Sequence, residues 1–210
     1  MQRNAVIIFT NLNNEKEYQD TINKIYTLSG FAMINPPDEI VLVVDSFVWM
    51  YSMKIQEQYN YMDKFTILTN NGHKEGFTRA VNAGLRYLHQ KNKYDFIIVE
   101  GYEGIGLSKA LLDKVGYFDE AFVNDPFEDF RARSILAGFT KIRFPVKKPK
   151  LQEIKENDPE LAEKEQRNNA KVIPIEQLRR KWSAPRSLNN TQLVDWIVDN
   201  YEWEDRFKCH

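Results

Sequence analysis

Four short, uninterrupted apolar runs set the rhythm of the amino-terminal half: Ala5–Phe9, Ile40–Val44, Phe65–Leu68 and Phe96–Val99. They are largely β-branched and continuous rather than alternating, which is how a strand reads when both of its faces are covered. Helical patterns lie between them. Glu15–Leu28 follows an asparagine-rich start, Asn11 to Asn14, that can cap a helix. Thr78–Gln90 carries Val81, Leu85 and Leu88 on one helical face. The order β-α-β-α-β-α-β predicts a doubly wound, Rossmann-like α/β sheet, mainly parallel and flanked by helices.

Beyond residue 104 the pattern loosens. Gly104-Ile105-Gly106 reads as a turn, and Ser108 can cap a short helix through Lys114. A helix is expected to end at Ala137 with Gly138 as its C-cap, and Ile142–Val146 is a further strand candidate. Half of residues 147–172 are charged and none is aromatic, which suits an exposed helix or linker. Thr191–Trp203 places Leu193, Trp196, Ile197 and Tyr201 along one stripe of an amphipathic helix. That stripe can pack on the parent domain or dock a protein partner or a second copy. The expected organisation is a core over residues 1–146, a charged segment over 147–182 that closes it, and a C-terminal extension over 183–210.

Composition narrows the function classes. In 210 residues, 42% are hydrophobic and 13% aromatic, enough for a real core at this length. The net charge is −1, from 29 basic and 30 acidic residues, so no global field draws the chain to nucleic acid or to an anionic membrane. The short basic runs Lys147–Lys150 and Arg179–Lys181 sit among acids and read as solvated surface. Cys209 is the single cysteine, so neither an internal disulfide nor a CxxC metal site is available. No apolar stretch approaches the length of a membrane span. A cytoplasmic location is expected.

Ligands of doubly wound sheets bind beyond the carboxyl ends of the strands. Here those ends read Thr10-Asn11, Asp45-Ser46, Asn70-Asn71-Gly72 and Glu100-Gly101-Tyr102-Glu103. Asp and Asn also stop strands and start turns, so each end alone is ambiguous. Four polar ends in four strands favour a site.

The ordered set of motifs resembles a family 2-type glycosyltransferase of the GT-A fold, over about residues 4–182. The residues that carry the resemblance are Asp45 in VLVVD, then Asn71, Gly72, Gly76, Arg79, Asn82 and Gly84 in NNGHKEGFTRAVNAGL. They continue with VGYFDE (Val115, Gly116, Phe118, Asp119 and Glu120), and with Asp129, Arg133 and Gly138 in EDFRARSILAG. Arg167-Asn168-Asn169 and Lys181-Trp182 resemble elements that close some members of that family.

The resemblance implies a nucleoside-diphosphate-sugar donor and transfer of its sugar to a hydroxyl acceptor with inversion. It places the donor's base against Thr10, Asn11 and Asp45. Asn71, Arg79 and Asn82 would lie beside the ribose and diphosphate. Asp129, with Glu128 as its neighbour, would be the carboxylate that takes the acceptor proton. The family holds Mn²⁺ or Mg²⁺ through an Asp-x-Asp after the fourth strand, and the ion helps the diphosphate depart. This chain departs from that pattern. Glu100 stands at the first position and Tyr102, a poor ligand for a hard cation, at the second, which leaves Glu103 as the substitute. The segment Lys147 to Gln152 also lacks the histidine many relatives supply.

The stretch from Glu100 to Val115 holds only a turn and a short helix, where the family builds part of its acceptor site. That implies either a large acceptor, such as a glycan, a protein or a nucleic acid, or none. The alternative reading is therefore a catalytically degenerate GT-A-fold protein that acts as a binding or structural module. A nucleotidyltransferase fits less well, because Asn11-Leu12-Asn13-Asn14 has neither a Gly-rich phosphate loop nor a basic residue.

Overall fold

The computed structural model describes residues 3–28, 37–60, 62–69, 76–100, 105–123, 126–139 and 174–210. The expected strand at Ile142–Val146, the charged stretch 147–172, and Asn71, Tyr102 and Glu103 lie outside the described residues.

The apolar runs form the strands they predict. β1 (Asn4–Leu12), β2 (Glu39–Phe47), β3 (Phe65–Thr69) and β4 (Phe96–Glu100) are mutually parallel, in the sheet order β3-β2-β1-β4-β5. β5 (Ile105–Ser108) corrects the expected turn at Gly104–Gly106. It pairs antiparallel with β4, Ile98 facing Gly106. Ile105 and Leu107 are buried and Gly106 is exposed, the alternation of an edge strand with one face on the core. The sheet is thus mixed and mainly parallel, and helices cover both faces.

α1 (Glu15–Leu28) and α2 (Trp49–Tyr59) cover one face. Val6, Ile8, Ile40, Leu42 and Val44 meet Ile25 and Ile55 there. The Asn14 side chain caps α1, its Oδ1 accepting the Glu17 N–H at 3.0 Å. The alternate strand residues, Ala5, Ile7, Val41 and Val43, face α3 (Phe77–Lys91). Gly84 allows this approach. A Cβ there would stand 2.9 Å from Val43 Cγ2 and 3.1 Å from Ile7 Cδ1. α4 (Lys109–Val115), capped by the Ser108 hydroxyl, and α5 (Phe127–Leu136) complete that layer.

The C-terminal part is built onto this layer. α6 (Pro174–Lys181) and α7 (Asn190–Asn200) share one apolar cluster with Phe122 and Ala132, in which Leu178, Trp182, Leu193, Val194 and Ile197 are almost fully buried. Leu178 and Trp182 of the expected closing segment thus share their cluster with Leu193, Val194 and Ile197 of the expected extension. The helix ends at Asn200, three residues before Trp203, and its apolar stripe, including Leu193 and Ile197, lies against the parent domain instead of facing out. The chain then passes through a 3₁₀ turn (Asp205–Phe207) and lays Cys209 beside Gly116. Cys209 N–H donates to Val115 O at 3.2 Å, and Tyr117 N–H to Cys209 O at 2.9 Å.

Candidate functional site

The strand order reverses between β1 and β4, since β2 and β3 lie on one side of β1 and β4 and β5 on the other. Beside such a switch point the crevice opens at the carboxyl edge. β1 and β2 reach further than their apolar runs, so Thr10, Asn11, Asp45 and Ser46 lie within the strands. Thr10 faces Val44, but Leu12 faces Phe47. Asp45 and Ser46 therefore both stand opposite Asn11. An extra residue of this kind bends a strand and re-aims its side chains. Ser46 Oγ donates to Asn11 Oδ1 at 3.0 Å, and Asn13 Nδ2 donates to Ser46 Oγ at 2.9 Å. Asp45 turns to the α3 face, where both of its oxygens receive the Gly76 N–H, at 3.0 and 3.2 Å. Gly76 is the N-cap of α3 at φ +88°, a left-handed value that favours glycine. Asp45 thereby fixes where α3 begins.

The residues expected to hold a donor are divided between faces. Thr10 points to α1, with its hydroxyl 2.7 Å from that of Thr21. An open cleft of about 240 Å³ lies there, bounded by Thr10, Asn11, Glu17, Asp20, Thr21 and Lys24. Arg79, on the first turn of α3, is largely exposed and reaches Glu120 at 3.5 Å. Asn82 has no exposed surface. Its Oδ1 accepts the Phe118 N–H at 3.1 Å, and its Nδ2 donates to Phe118 O at 2.8 Å and to Glu120 Oε1 at 3.2 Å. Asn82, expected beside the ribose and diphosphate, spends its amide on a clamp on the VGYFDE segment. Burial pushes the Glu120 carboxyl up, but the bonds from Arg86 and Asn82 outweigh it and hold it below the usual range.

The acidic cluster also separates into two roles. Asp129 is 1% exposed. Its Oδ2 accepts from Arg133 Nε at 2.8 Å, and its Oδ1 accepts from Trp182 Nε1 at 3.0 Å and meets Lys181 Nζ at 2.7 Å. Arg133, with no exposed surface, also donates to Val115 O at 2.9 Å and to Tyr117 O at 3.0 Å. Lys181 in turn reaches Asp119 Oδ2 at 2.7 Å. Burial raises the Asp119 carboxyl, and the Lys181 ammonium and the Ala121 N–H more than reverse this. So the Lys-Trp pair and the two acidic motifs noted in the sequence converge on one buried polar knot. A carboxylate engaged on both oxygens and shielded from solvent is badly placed to receive an acceptor's proton. Glu128, next to it on the first turn of α5, is part-exposed and lies 3.6 Å from Arg131.

Among the described residues no group of three or more His, Cys, Asp or Glu side chains converges as a metal site. Glu100, the last residue of β4, supplies one half-buried carboxylate, where Mg²⁺ and Ca²⁺ take six or more oxygens. Glu103 lies outside the described residues. No helix among the described residues is long and apolar enough to cross a membrane.

Ser46, Gly76 and Glu120 also belong to this edge, and the sequence did not mark them as site residues. Ser46 carried one signal, its place after VLVVD. Gly76 and Glu120 were visible only as members of motifs.

The fold and the site thus define a mixed, mainly parallel α/β domain with polar side chains gathered at the carboxyl edge beside its switch point. No family model matches the chain, and no curated protein matches it. Among solved structures it is similar to S. aureus TarS 1–349 in complex with UDP, at 14% identity and a TM-score of 0.47. The match covers 65% of this chain and 56% of that one, so this chain spans little more than half of its neighbour's length.

Proposed function

We propose that the chain is a glycosyltransferase-type domain that binds a nucleoside-diphosphate sugar at the carboxyl edge of its sheet and transfers the sugar to a hydroxyl acceptor with inversion. The observation that carries this reading is the extra residue in β2, which brings Asn11, Asp45 and Ser46 together beside the β1/β4 switch point. The Asn11 amide and the Ser46 hydroxyl offer the donors and acceptors a pyrimidine edge needs. Asp45 contributes by fixing Gly76 and the start of α3. Arg79, exposed on that first turn, is the cation for the diphosphate. Thr10 borders the crevice on the α1 side.

In this reading Glu128 takes the acceptor proton, and Asp129 holds the helix on which Glu128 sits. Glu100, with Glu103, is the place to look for a divalent ion, and Asn71 belongs with Arg79 at the donor's ribose and diphosphate. The hydroxyl oxygen attacks the anomeric carbon as its bond to the diphosphate breaks. The acceptor proton passes to the Glu128 carboxylate, and the nucleoside diphosphate leaves.

A second reading is a module on the same fold that binds but does not transfer. The full engagement of Asp129 favours it.

Calorimetric titration with UDP and with GDP, each with and without Mn²⁺, tests the first reading. Binding of one nucleotide, weakened by Asn11→Ala and by Arg79→Ala, is the expected result. Absence of binding by folded protein sinks the donor site. Binding without turnover of any nucleotide sugar, unchanged in Glu128→Gln, supports the second reading.

A further inference from the structure

A cleft of about 350 Å³ runs between α2 and β3, one of the two edge strands among the described residues. It lies beyond β2, away from the β1/β4 crevice. Its walls extend from Phe47 and Thr69 at the carboxyl ends of β2 and β3 to Asn60, just past α2. The cleft therefore follows β3 along its whole length, five residues or about 16 Å.

The lining has an unusual composition for a surface this polar. Ser52, Gln56, Asn60 and Thr69 contribute hydroxyls and amides, and among the described residues no charged side chain takes part. The remaining wall is apolar and aromatic. Its floor is ordered by the Tyr59 and Phe65 rings, 5.3 Å apart. At the mouth stands Trp49, 68% exposed. The neighbouring Val48 and Met50 are exposed as well, so three consecutive apolar side chains face solvent where β2 passes into α2. Exposed apolar patches of this kind mark binding surfaces, and an indole left open beside a cleft is not a core residue.

We propose that this cleft binds an uncharged oligosaccharide, with Trp49 as the stacking platform. A pyranose ring presents an apolar C–H face and a rim of hydroxyls. The C–H face packs on an indole. The hydroxyls exchange hydrogen bonds with side-chain amides and hydroxyls, which act as donor and acceptor at once. The described lining, without charge, offers nucleotides and phosphorylated ligands no counter-ion. The volume is near the small end of the range of about 300–1,000 Å³ for ligand pockets, and its elongated shape suits two or three linked rings rather than a branched ligand. The inference stands apart from the donor reading, because none of its residues belongs to the crevice beside β1 and β4.

The test uses the full chain, ¹⁵N-labelled, and follows its four tryptophan indole N–H signals. Trp49 is assigned by the signal lost in Trp49→Phe. Trisaccharides of glucose, of mannose and of N-acetylglucosamine are titrated in turn, and then UDP. The expected result is a saturable shift of the Trp49 signal with at least one trisaccharide and no shift of it with UDP. Affinity falls by about tenfold or more in Trp49→Ala, and falls in Gln56→Ala too. Trp49 is exposed, so its substitution leaves the core intact, and the three other indole signals report on that. No saturable shift with any of the three sugars overturns the proposal. So does binding that survives in both alanine variants. A Trp49 shift produced instead by an extended, uncharged peptide pairing with β3 would make the cleft a peptide site and overturn it equally. Failure here leaves UDP binding untouched, and loss of UDP binding leaves this cleft untouched.

Discussion

Replacing Asp129 with asparagine asks whether that carboxylate holds the fold together or reacts. The substitution keeps the size of the side chain and retains one oxygen for the Trp182 indole. It removes the charge that faces Arg133 Nε at 2.8 Å and Lys181 Nζ at 2.7 Å. Lys181 is part-exposed and keeps Asp119. Arg133 has no such escape, because it has no exposed surface. Its two bonds to Val115 O and Tyr117 O remain, but both are to neutral acceptors. Removing one member of a buried pair costs about 3–5 kcal/mol, because the other charge is left uncompensated. The retained oxygen places Asp129→Asn near the lower end, about 3 kcal/mol, against a total stability of about 5–15 kcal/mol for an ordinary domain. Urea unfolding followed by tryptophan fluorescence measures it. The double variant Asp129→Leu with Arg133→Met removes both charges and is expected to be more stable than Asp129→Leu alone, a coupling that only direct interaction produces. A cost below about 1 kcal/mol for Asp129→Asn, the level of an ordinary surface change, would refute the structural role. If that same variant had lost all sugar transfer, the base would be Asp129 and not Glu128.

Three further expectations follow from particular contacts. Gly84→Ala gains about 1 kcal/mol in helix propensity but drives a methyl group to 2.9 Å from Val43. Overpacking of that kind costs about 1–3 kcal/mol, so net destabilisation is expected in the same urea assay, and a more stable variant would contradict the packing. Gly116→Ala forces a Cβ to 1.8 Å from Cys209 O at φ +79°, and the backbone strain alone costs about 1–3 kcal/mol. Release of the C-terminal segment around Cys209 should follow, read as faster reaction of the Cys209 thiol with a disulfide reagent; an unchanged rate would show that the segment stays in place. The third expectation concerns Glu39, 6% exposed at the opposite edge of the sheet. Burial raises its carboxyl, but Lys91, at 2.6 Å, and Tyr94 bring it below the usual range. A carboxylate with a lowered folded pKa stabilises above its unfolded value, about 4.3, and loses that contribution as pH falls through the folded one. The stability gap between the parent chain and Glu39→Gln should therefore narrow between about pH 7 and about pH 3. A gap that holds constant would deny the charge any part in it.

Much of the fold was legible because its parallel strands are buried on both sides. Continuous apolar runs such as IVLVV need no partner to be recognised. β5 escaped because Ile-Gly-Leu-Ser is short, carries a glycine and needs only its two buried residues to pair with β4. The site was harder, for a physical reason. A motif records which residue types meet, not which atoms are left over once they have met. Asp45, Asn82 and Asp129 lie in the motifs that carry the resemblance, and each is used inside the protein: on Gly76, on Phe118, and on Arg133 with Trp182. Their spacing is what a buried carboxylate or amide requires to fix a loop or a helix, and a ligand-binding residue could show the same spacing. Lys181 and Trp182 show the limit most directly. They stand some fifty residues from Asp129 in sequence, yet they complete its shell of partners. The side chains that keep exposed surface are their neighbours, Asn11, Ser46, Arg79 and Glu128, together with Trp49, which no motif contained. Exposure separates these two groups, and exposure is a property of the folded chain. A chain on this fold can therefore keep the motif residues that hold the fold while its ligand changes. For that reason the decisive substitutions are at Asn11, Arg79, Glu128 and Trp49.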